Sequence, residues 1–382
     1  MQASAELGMN WIKGVAAAVA LAGIAWFITL AAMLWRPWPR PVTGFPSKVH
    51  QPFNKPLLRS PEQHHYLAVL LAAPGCSSYF VDGAFGDQWV GAGCPTGRHV
   101  FTHALIWRHH GRTIIDLNPK GFEFSLAIGT DGKFQVGSGN NPAGLGGGAL
   151  LWSGSAASVV VLNPEGCYFS QAGSVRDGIE IGYVEEKRNG PRYAALWRGT
   201  AASFVNLNPP GFLSSAAMAT DGRHQVGVGK LPNGKFRALL WSGAPTGAVV
   251  LGSHGYASAV ALAISGNTIA GAVRGNGTSR RAVIWRGGKH RIVDLNPPGF
   301  TSSIAAATNG AQEVGYGQRQ GELIEALVWS GTAHSAVDLQ SFLPASYTVS
   351  RALAITSKGL IFGFAKNRGG KRVAVEWIPV EK

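Results

Sequence analysis

Short apolar runs closed by a tryptophan recur along the chain at Trp107, Trp152, Trp197, Trp241, Trp285, Trp329 and Trp377, with spacings of 45, 45, 44, 44, 44 and 48 residues. A unit of this size cannot bury its own apolar face and must stack on a neighbour. Arg281–Phe300 shows the content of one unit: the tryptophan run, a small turn, a second apolar run ending in Asp294–Pro297, and an aromatic after glycine at Gly299-Phe300. Ser303 and Ala305, a turn at Asn309-Gly310 and the Val-Gly run Val314–Gly317 follow. Four short strands per unit is the natural count, and the glycines in Asp131-Gly132, Asp177-Gly178, Asp221-Gly222 and Asn309-Gly310 supply the positive φ that tight hairpins demand. The fold class expected is all-β, a seven-bladed β-propeller of four-stranded antiparallel blades.

The chain ends predict how the ring closes. After Cys76 the chain runs through Ser-rich, Val-Gly and tryptophan strands in turn, whereas Tyr66–Leu71 stands alone as a copy of the outer Asp-Leu-Asn-Pro strand. At the C-terminus the last tryptophan strand, Val373–Pro379, lacks that outer strand. A blade of three C-terminal strands plus one N-terminal strand closes the ring and removes the exposed edges of a linear array. Residues that recur in every blade read as blade-building: the tryptophans as packing between blades, and Asp116, Asn206, Asp294 and Asp338 as acceptors for backbone N–H groups in the turn that follows. The same turn role is expected of Asn118, Asn163, Asn208 and Asn296.

His103-Ala104-Leu105-Ile106-Trp107, together with later copies beginning at Ala194, Ala238, Ala282 and Ala326, resembles the HAF-type bacterial extracellular repeat. The resemblance spans about residues 66–380 and rests on repetition. It implies an extracytoplasmic protein and carries over no catalytic residue.

Residues 1–13 form a short tail, and Gly14–Trp35 then runs for 22 residues without a charge, long enough to span a bilayer. The run exceeds a usual signal-peptide core, so an uncleaved transmembrane anchor is favoured over a removed signal. Residues 36–63 form a Pro-rich linker, and residues 64–382 the propeller. Arg36, Arg40 and Lys48 after the span argue for a cytoplasmic propeller. The family resemblance argues for the periplasmic or extracellular side, and this is the orientation taken.

Charge adds a second pattern. Of the formal net charge of +14, most falls in the loops joining the Val-Gly strand to the tryptophan strand. These loops carry Arg98; Lys187, Arg188 and Arg192; Lys230, Lys235 and Arg237; Arg274, Arg280 and Arg281; Arg319; and Lys366, Arg368, Lys371 and Arg372. Against them stand four acids, Glu185, Glu186, Glu322 and Glu325. Strand parity places all these loops on the face that also carries the crossovers between blades. Such a face attracts polyanions; the partners expected are an anionic polysaccharide, anionic lipid headgroups or an acidic protein. Nucleic acid is disfavoured because the loops lack interleaved aromatics. The alternative is that the basic loops are merely solvated.

The chemistry-bearing residues are sparse. Cys76 and Cys94 sit at neighbouring ends of the first hairpin and form a candidate disulfide, whereas Cys167 replaces a recurrent phenylalanine and reads as a small buried hydrophobe. His99, His103, His109 and His110 cluster without a nearby Cys or carboxylate to complete a metal site. No cofactor is expected. With 20 carboxylates and no pair that departs from the repeat, the chain reads as a binding or scaffold module and not as an enzyme. The alternative is a hydrolase or lyase acting on acidic polysaccharide in the central channel, and its mark would be an unusual carboxylate or histidine on an inner strand.

Overall fold

The computed structural model describes residues 65–95, 102–140, 147–276, 279–287 and 290–380. The expected tail, membrane span and linker lie outside these residues, as do Arg98 and His99. Among the described residues no helix is long and apolar enough to cross a membrane.

Twenty-eight described strands form seven four-stranded antiparallel sheets. Blade 3 is representative: Phe169–Arg176 is innermost, followed outward by Ile179–Glu185, Arg192–Trp197 and Val205–Asn206. Blade 7 is assembled differently. Its inner strands are Tyr347–Ile355, Ile361–Asn367 and Arg372–Val380, and its outer strand is the N-terminal His65–Leu70. His65 pairs with Val380 and Leu70 with Val375, and the Leu71 N–H donates to the Ala374 carbonyl at 3.0 Å. The inner strands of blades 7 and 1 touch as other neighbouring inner strands do, so the ring is closed by three strands plus one.

Each inner strand carries a one-residue bulge at the same level, between Val81 and Gly83 in blade 1, Ala172 and Ser174 in blade 3, and Ala352 and Ala354 in blade 7, for example. The bulge pushes a carbonyl toward the second strand, and the residue facing it is always glycine. A Cβ on Gly182 would stand 1.8 Å from the Gln171 oxygen, and one on Gly363 would stand 1.9 Å from the Arg351 oxygen. This is why the Val-Gly pair recurs in each unit.

The seven repeat tryptophans are fully buried. Trp197 packs with Val136, Leu151 and Leu162 of the preceding blade, so each tryptophan run seals an interblade seam. Several indoles also anchor the preceding crossover: Trp241 donates to the Leu207 carbonyl at 2.8 Å and Trp285 to that of Gly252 at 2.9 Å.

The crossover residues form a clasp. Asp294 accepts the Asn296 N–H at 2.8 Å, as expected for this position. Asn296 works differently from expectation: its amide donates to the Phe300 carbonyl at 2.9 Å and accepts the Ser303 hydroxyl at 2.6 Å. The same serine oxygen accepts the Ala282 N–H at 3.0 Å from the previous blade. Equivalent bonds join Asn118 to Ser125, Asn163 to Ser170 and Asn208 to Ser215. Buried polar groups are thereby satisfied where the chain passes between blades.

The hairpins differ in kind. Asp177-Gly178 is a two-residue turn with both φ positive, at 52° and 71°. The Asp131 turn is longer, with the Asp131 N–H donating to the Phe134 carbonyl at 3.2 Å and its carboxylate accepting from Lys133 and Phe134. The expected Cys76–Cys94 disulfide is not formed. A bulge at Ser77 puts Cys76 opposite Pro95 and Ser78 opposite Cys94, so the cysteines are not direct cross-strand partners and all three thiols are free. Cys167 is half-buried, and its carbonyl accepts from the Asn163 amide at 3.0 Å.

Candidate functional site

The fourteen described basic residues from the loop set sort by environment. Lys187, Arg188, Lys230, Lys235, Lys366, Arg368 and Lys371 are exposed. Arg192, Arg237, Arg274, Arg280, Arg281, Arg319 and Arg372 are half-buried. The five lysines all point outward, and the inward set is entirely arginine, the cation whose planar group stacks and forks.

Most of the inward set is tied into the fold. Arg192 pairs with Glu185 and lies over the Tyr183 ring at 4.6 Å. Arg237 donates to the carbonyls of Phe236 and Ala257 at 2.9 and 2.8 Å. Arg281 holds Asp294 at 2.7 Å. Arg319 reaches Glu325 at 3.4 Å and lies over the Phe300 ring at 4.2 Å. These groups stabilise blades through charge-assisted bonds and cation–π contacts.

Arg372 is placed otherwise. It opens the third strand of blade 7 and lies over the rings of Phe364, at 4.6 Å, and Phe80, at 5.4 Å, so it bridges blades 7 and 1. Its cross-strand partner is Lys366, a second cation. Arg351, on the inner strand of blade 7, lies over the rings of Tyr316, at 4.5 Å, and Phe364, at 5.9 Å. Its Nε is buried without a hydrogen-bond partner. Burial pushes the Arg372 guanidinium below the usual arginine value, and the like charge of Arg351 adds to this; Asp82 acts in the opposite sense. Burial also lowers Arg280, with Tyr316 opposing and the charges of Arg274 and Arg351 adding. Arg351 of blade 7 thus acts on Arg280 of blade 5 and on Arg372, and Arg372 in turn on Asp82 of the blade 1 inner strand.

Asp82 is the bulged residue of blade 1; its counterparts are Ile128, Gly173, Met218, Leu262, Ala306 and Leu353. It is the one carboxylate in that set, half-buried on the innermost strand. Burial pushes its carboxyl up to about 7, with Arg372 pulling it back. Arg351 likewise stands where the other blades have Phe80, Leu126, Gln171, Ala216, Val260 and Ile304. Neither residue belonged to the loop set expected from sequence. Aligning the blades column by column carries the signal, because each is the one charge in an uncharged column.

The histidines are dispersed among separate carboxylates. His103 meets Asp116 at 2.7 Å, while His110 meets Glu376 at 3.2 Å. Burial raises the Glu376 carboxyl, and His110 opposes the rise. Among the described residues no group of three or more such side chains is placed to hold a metal.

No protein-family model and no curated protein matches the chain. Solved structures match by shape. A puromycin hydrolase structure superposes with a TM-score of 0.56 at 11% identity, covering 80% of this chain and 54% of its own. A Mycobacterium tuberculosis puromycin-hydrolyzing peptidase gives 0.55 at 12% identity, covering 84% of this chain and 56% of its own. The β-propeller domain of the Trilobed protease from Pyrococcus furiosus, described as having an open velcro topology, gives 0.56 at 9% identity over 80% of this chain and 95% of that domain. The chain therefore spans about half the length of the two peptidases. Identities this low show the fold alone. They nevertheless correct the expectation that the chain is not an enzyme: propellers of this shape occur in peptidases, so blade regularity does not exclude catalysis.

Proposed function

We propose that this propeller binds an anionic polymer, or the acidic surface of a partner, through the face bearing its crossovers and second-to-third-strand loops. The observation that carries this is the sorting of charge. The inward arginines are held in the blades, while Lys187, Arg188, Lys230, Lys235, Lys366, Arg368 and Lys371 remain exposed around several blades. An exposed cationic array held on a rigid ring attracts polyanions over roughly a Debye length, about 8–10 Å at physiological salt. Lysines suit this role, since a mobile ammonium acts as a point charge and does not require a fixed geometry. Anionic polysaccharide, anionic lipid headgroups and an acidic protein fit this chemistry. In this reading the apolar run at residues 14–35 tethers the propeller to a membrane, with the ring on the extracytoplasmic side.

The test reverses Lys187, Arg188, Lys230, Lys235 and Lys366 to Glu. The parent protein is expected to be retained on an anionic matrix at low salt and released as salt rises, and the variant to pass through. Equal retention of the two would defeat the reading.

One observation favours a second reading, hydrolysis or elimination of an acidic polysaccharide in the channel: Asp82 is a lone inner-strand carboxylate held near neutrality and so suited to proton transfer. Asp82→Asn separates the two readings, because it should abolish turnover of such a polymer while leaving retention on the matrix intact.

A further inference from the structure

We infer that blade 7, where it meets blades 6 and 1, carries a discrete site for a phosphoryl group, built from Arg351 and Arg372 around Phe364 with Arg280 acting on Arg351. This deepens the anion-binding reading above and rests on it for the class of ligand.

The geometry supplies three features. First, the guanidinium planes are already oriented. Arg351 lies over Tyr316 and Arg372 over Phe364 and Phe80, so little rotamer freedom remains to be lost on binding. Second, donor capacity is left over. The Arg351 Nε is buried with no acceptor, which costs free energy unless something else accepts from it. Arg372 has no acid across from it either: its counterpart in blade 3, Arg192 over Tyr183, is closed off by Glu185. Blade 7 has Lys366 where blade 3 has Glu185. Third, the charge is unbalanced. Arg351 acts electrostatically on both Arg280 and Arg372, and Asp82 is the acid that acts on Arg372. With Lys366 directly opposite Arg372, positive charge outweighs negative here, which suits an anion. Guanidinium groups contributed by different strands and blades also suit a tetrahedral oxyanion better than a planar carboxylate, which one guanidinium fork satisfies.

The site lies on the face proposed for polymer binding. Arg372 opens its strand directly after the loop that carries the exposed Arg368 and Lys371, and Arg280 opens the corresponding strand of blade 5. A phosphate monoester on a soluble molecule and a phosphate monoester on a lipid headgroup share this chemistry.

The test is calorimetric titration of the full chain with inorganic phosphate at constant ionic strength. One equivalent is expected to bind. Arg351→Ala and Arg372→Ala should each weaken binding at least about tenfold, the loss expected for a hydrogen bond to a charged group. Arg351→Lys should recover part of it, and Asp82→Asn should bind several-fold more tightly because a competing negative charge is gone. The Asp82→Asn gain does not depend on the arginine variants folding, and melting curves report on those. Phosphate binding that is absent, or unchanged in both Arg→Ala variants, overturns the site, as does Asp82→Asn binding no tighter. The reversal of Lys187, Arg188, Lys230 and Lys235 to Glu, with Lys366 left in place, is the control, because these cations lie on blades 3 and 4. If it abolishes matrix retention but leaves phosphate stoichiometry intact, both readings stand. If it weakens phosphate binding as much as Arg351→Ala does, the discrete site fails and the diffuse face remains. If retention is unchanged while phosphate still binds in one equivalent, the face reading fails and the site stands. Vesicles of phosphatidylcholine with and without phosphatidic acid identify the source. Arg351-dependent capture by the phosphatidic acid vesicles indicates a lipid headgroup, and phosphate binding without capture indicates a soluble phosphate ester.

Discussion

Blades 3 and 7 are built from the same four-strand unit, yet they treat the same cation in opposite ways. In each, an arginine opens the third strand and stacks on the aromatic residue that follows the invariant glycine: Arg192 on Tyr183, and Arg372 on Phe364. In blade 3 the cross-strand neighbour is Glu185, so charge is neutralised within the blade. In blade 7 it is Lys366, and charge accumulates. The blades differ in assembly as well. Blade 3 is continuous in sequence, whereas blade 7 takes its outer strand from the N-terminus and thereby meets blade 1, where Asp82 stands. A repeat fixes the scaffold but leaves each cross-strand pair free to vary, and function can occupy those pairs without disturbing the ring.

The largest expected effect concerns assembly. Removing residues 1–63 should leave the melting temperature unchanged. Extending the deletion through Leu71 removes the outer strand of blade 7 and with it the buried Tyr66 and Leu71. Loss of a cooperative melting transition is expected; an unchanged melt would show that closure is dispensable. The next effect should be common to both blades. Gly182→Ala and Gly363→Ala each place a Cβ within 2 Å of an inner-strand carbonyl oxygen, at 1.8 and 1.9 Å. Forcing such overpacked backbone apart should cost about 3 kcal/mol. Chemical denaturation that finds either variant as stable as the parent would contradict the bulge geometry.

Charge should then divide the blades. Glu185→Ala strands a half-buried arginine, with a loss on the order of 2–3 kcal/mol, whereas Lys366→Ala removes an exposed group and should fall within about 0.5 kcal/mol of the parent. Equal losses would remove the distinction between the blades. An effect smaller than that of Glu185→Ala belongs to pH. Asp82 moves from a usual value of 3.8 to about 7, so the folded state holds a proton that the unfolded chain releases. Stability should therefore fall as pH rises through that window. Asp82→Asn should flatten this slope and stabilise the protein by about 1–2 kcal/mol at pH 8, after discounting for the half-exposure of the side chain. Parallel stability curves for parent and variant would show that Asp82 does not titrate there.

Much of the architecture was legible in the residues. The tryptophan spacing gave the number of blades, the isolated copy at Tyr66–Leu71 gave the closure, and the Asp residues at the ends of outer strands gave the turn acceptors. These features repeat because each blade must solve the same local problem, which is to pack one face against a neighbour, turn, and cross over. The asparagine clasp was less legible, because Asn296 and Ser303 act across the gap between blades and their roles depend on the Ala282 N–H of the preceding one. The site was half legible. Arg280 and Arg372 stood out as loop cations, but Arg351, Asp82 and the supporting rings of Tyr316, Phe364 and Phe80 did not.

By itself, the sequence determined a closed ring of seven similar blades, since this follows from the period and from the isolated outer strand at the N-terminal end of the ring. Tertiary structure decided which of the loop cations are neutralised. That depends on pairwise distances such as Arg192 to Glu185 or Arg372 to Phe80. The second of these spans the chain from its first blade to its last, and ring closure alone brings the two ends together; no local period encodes it.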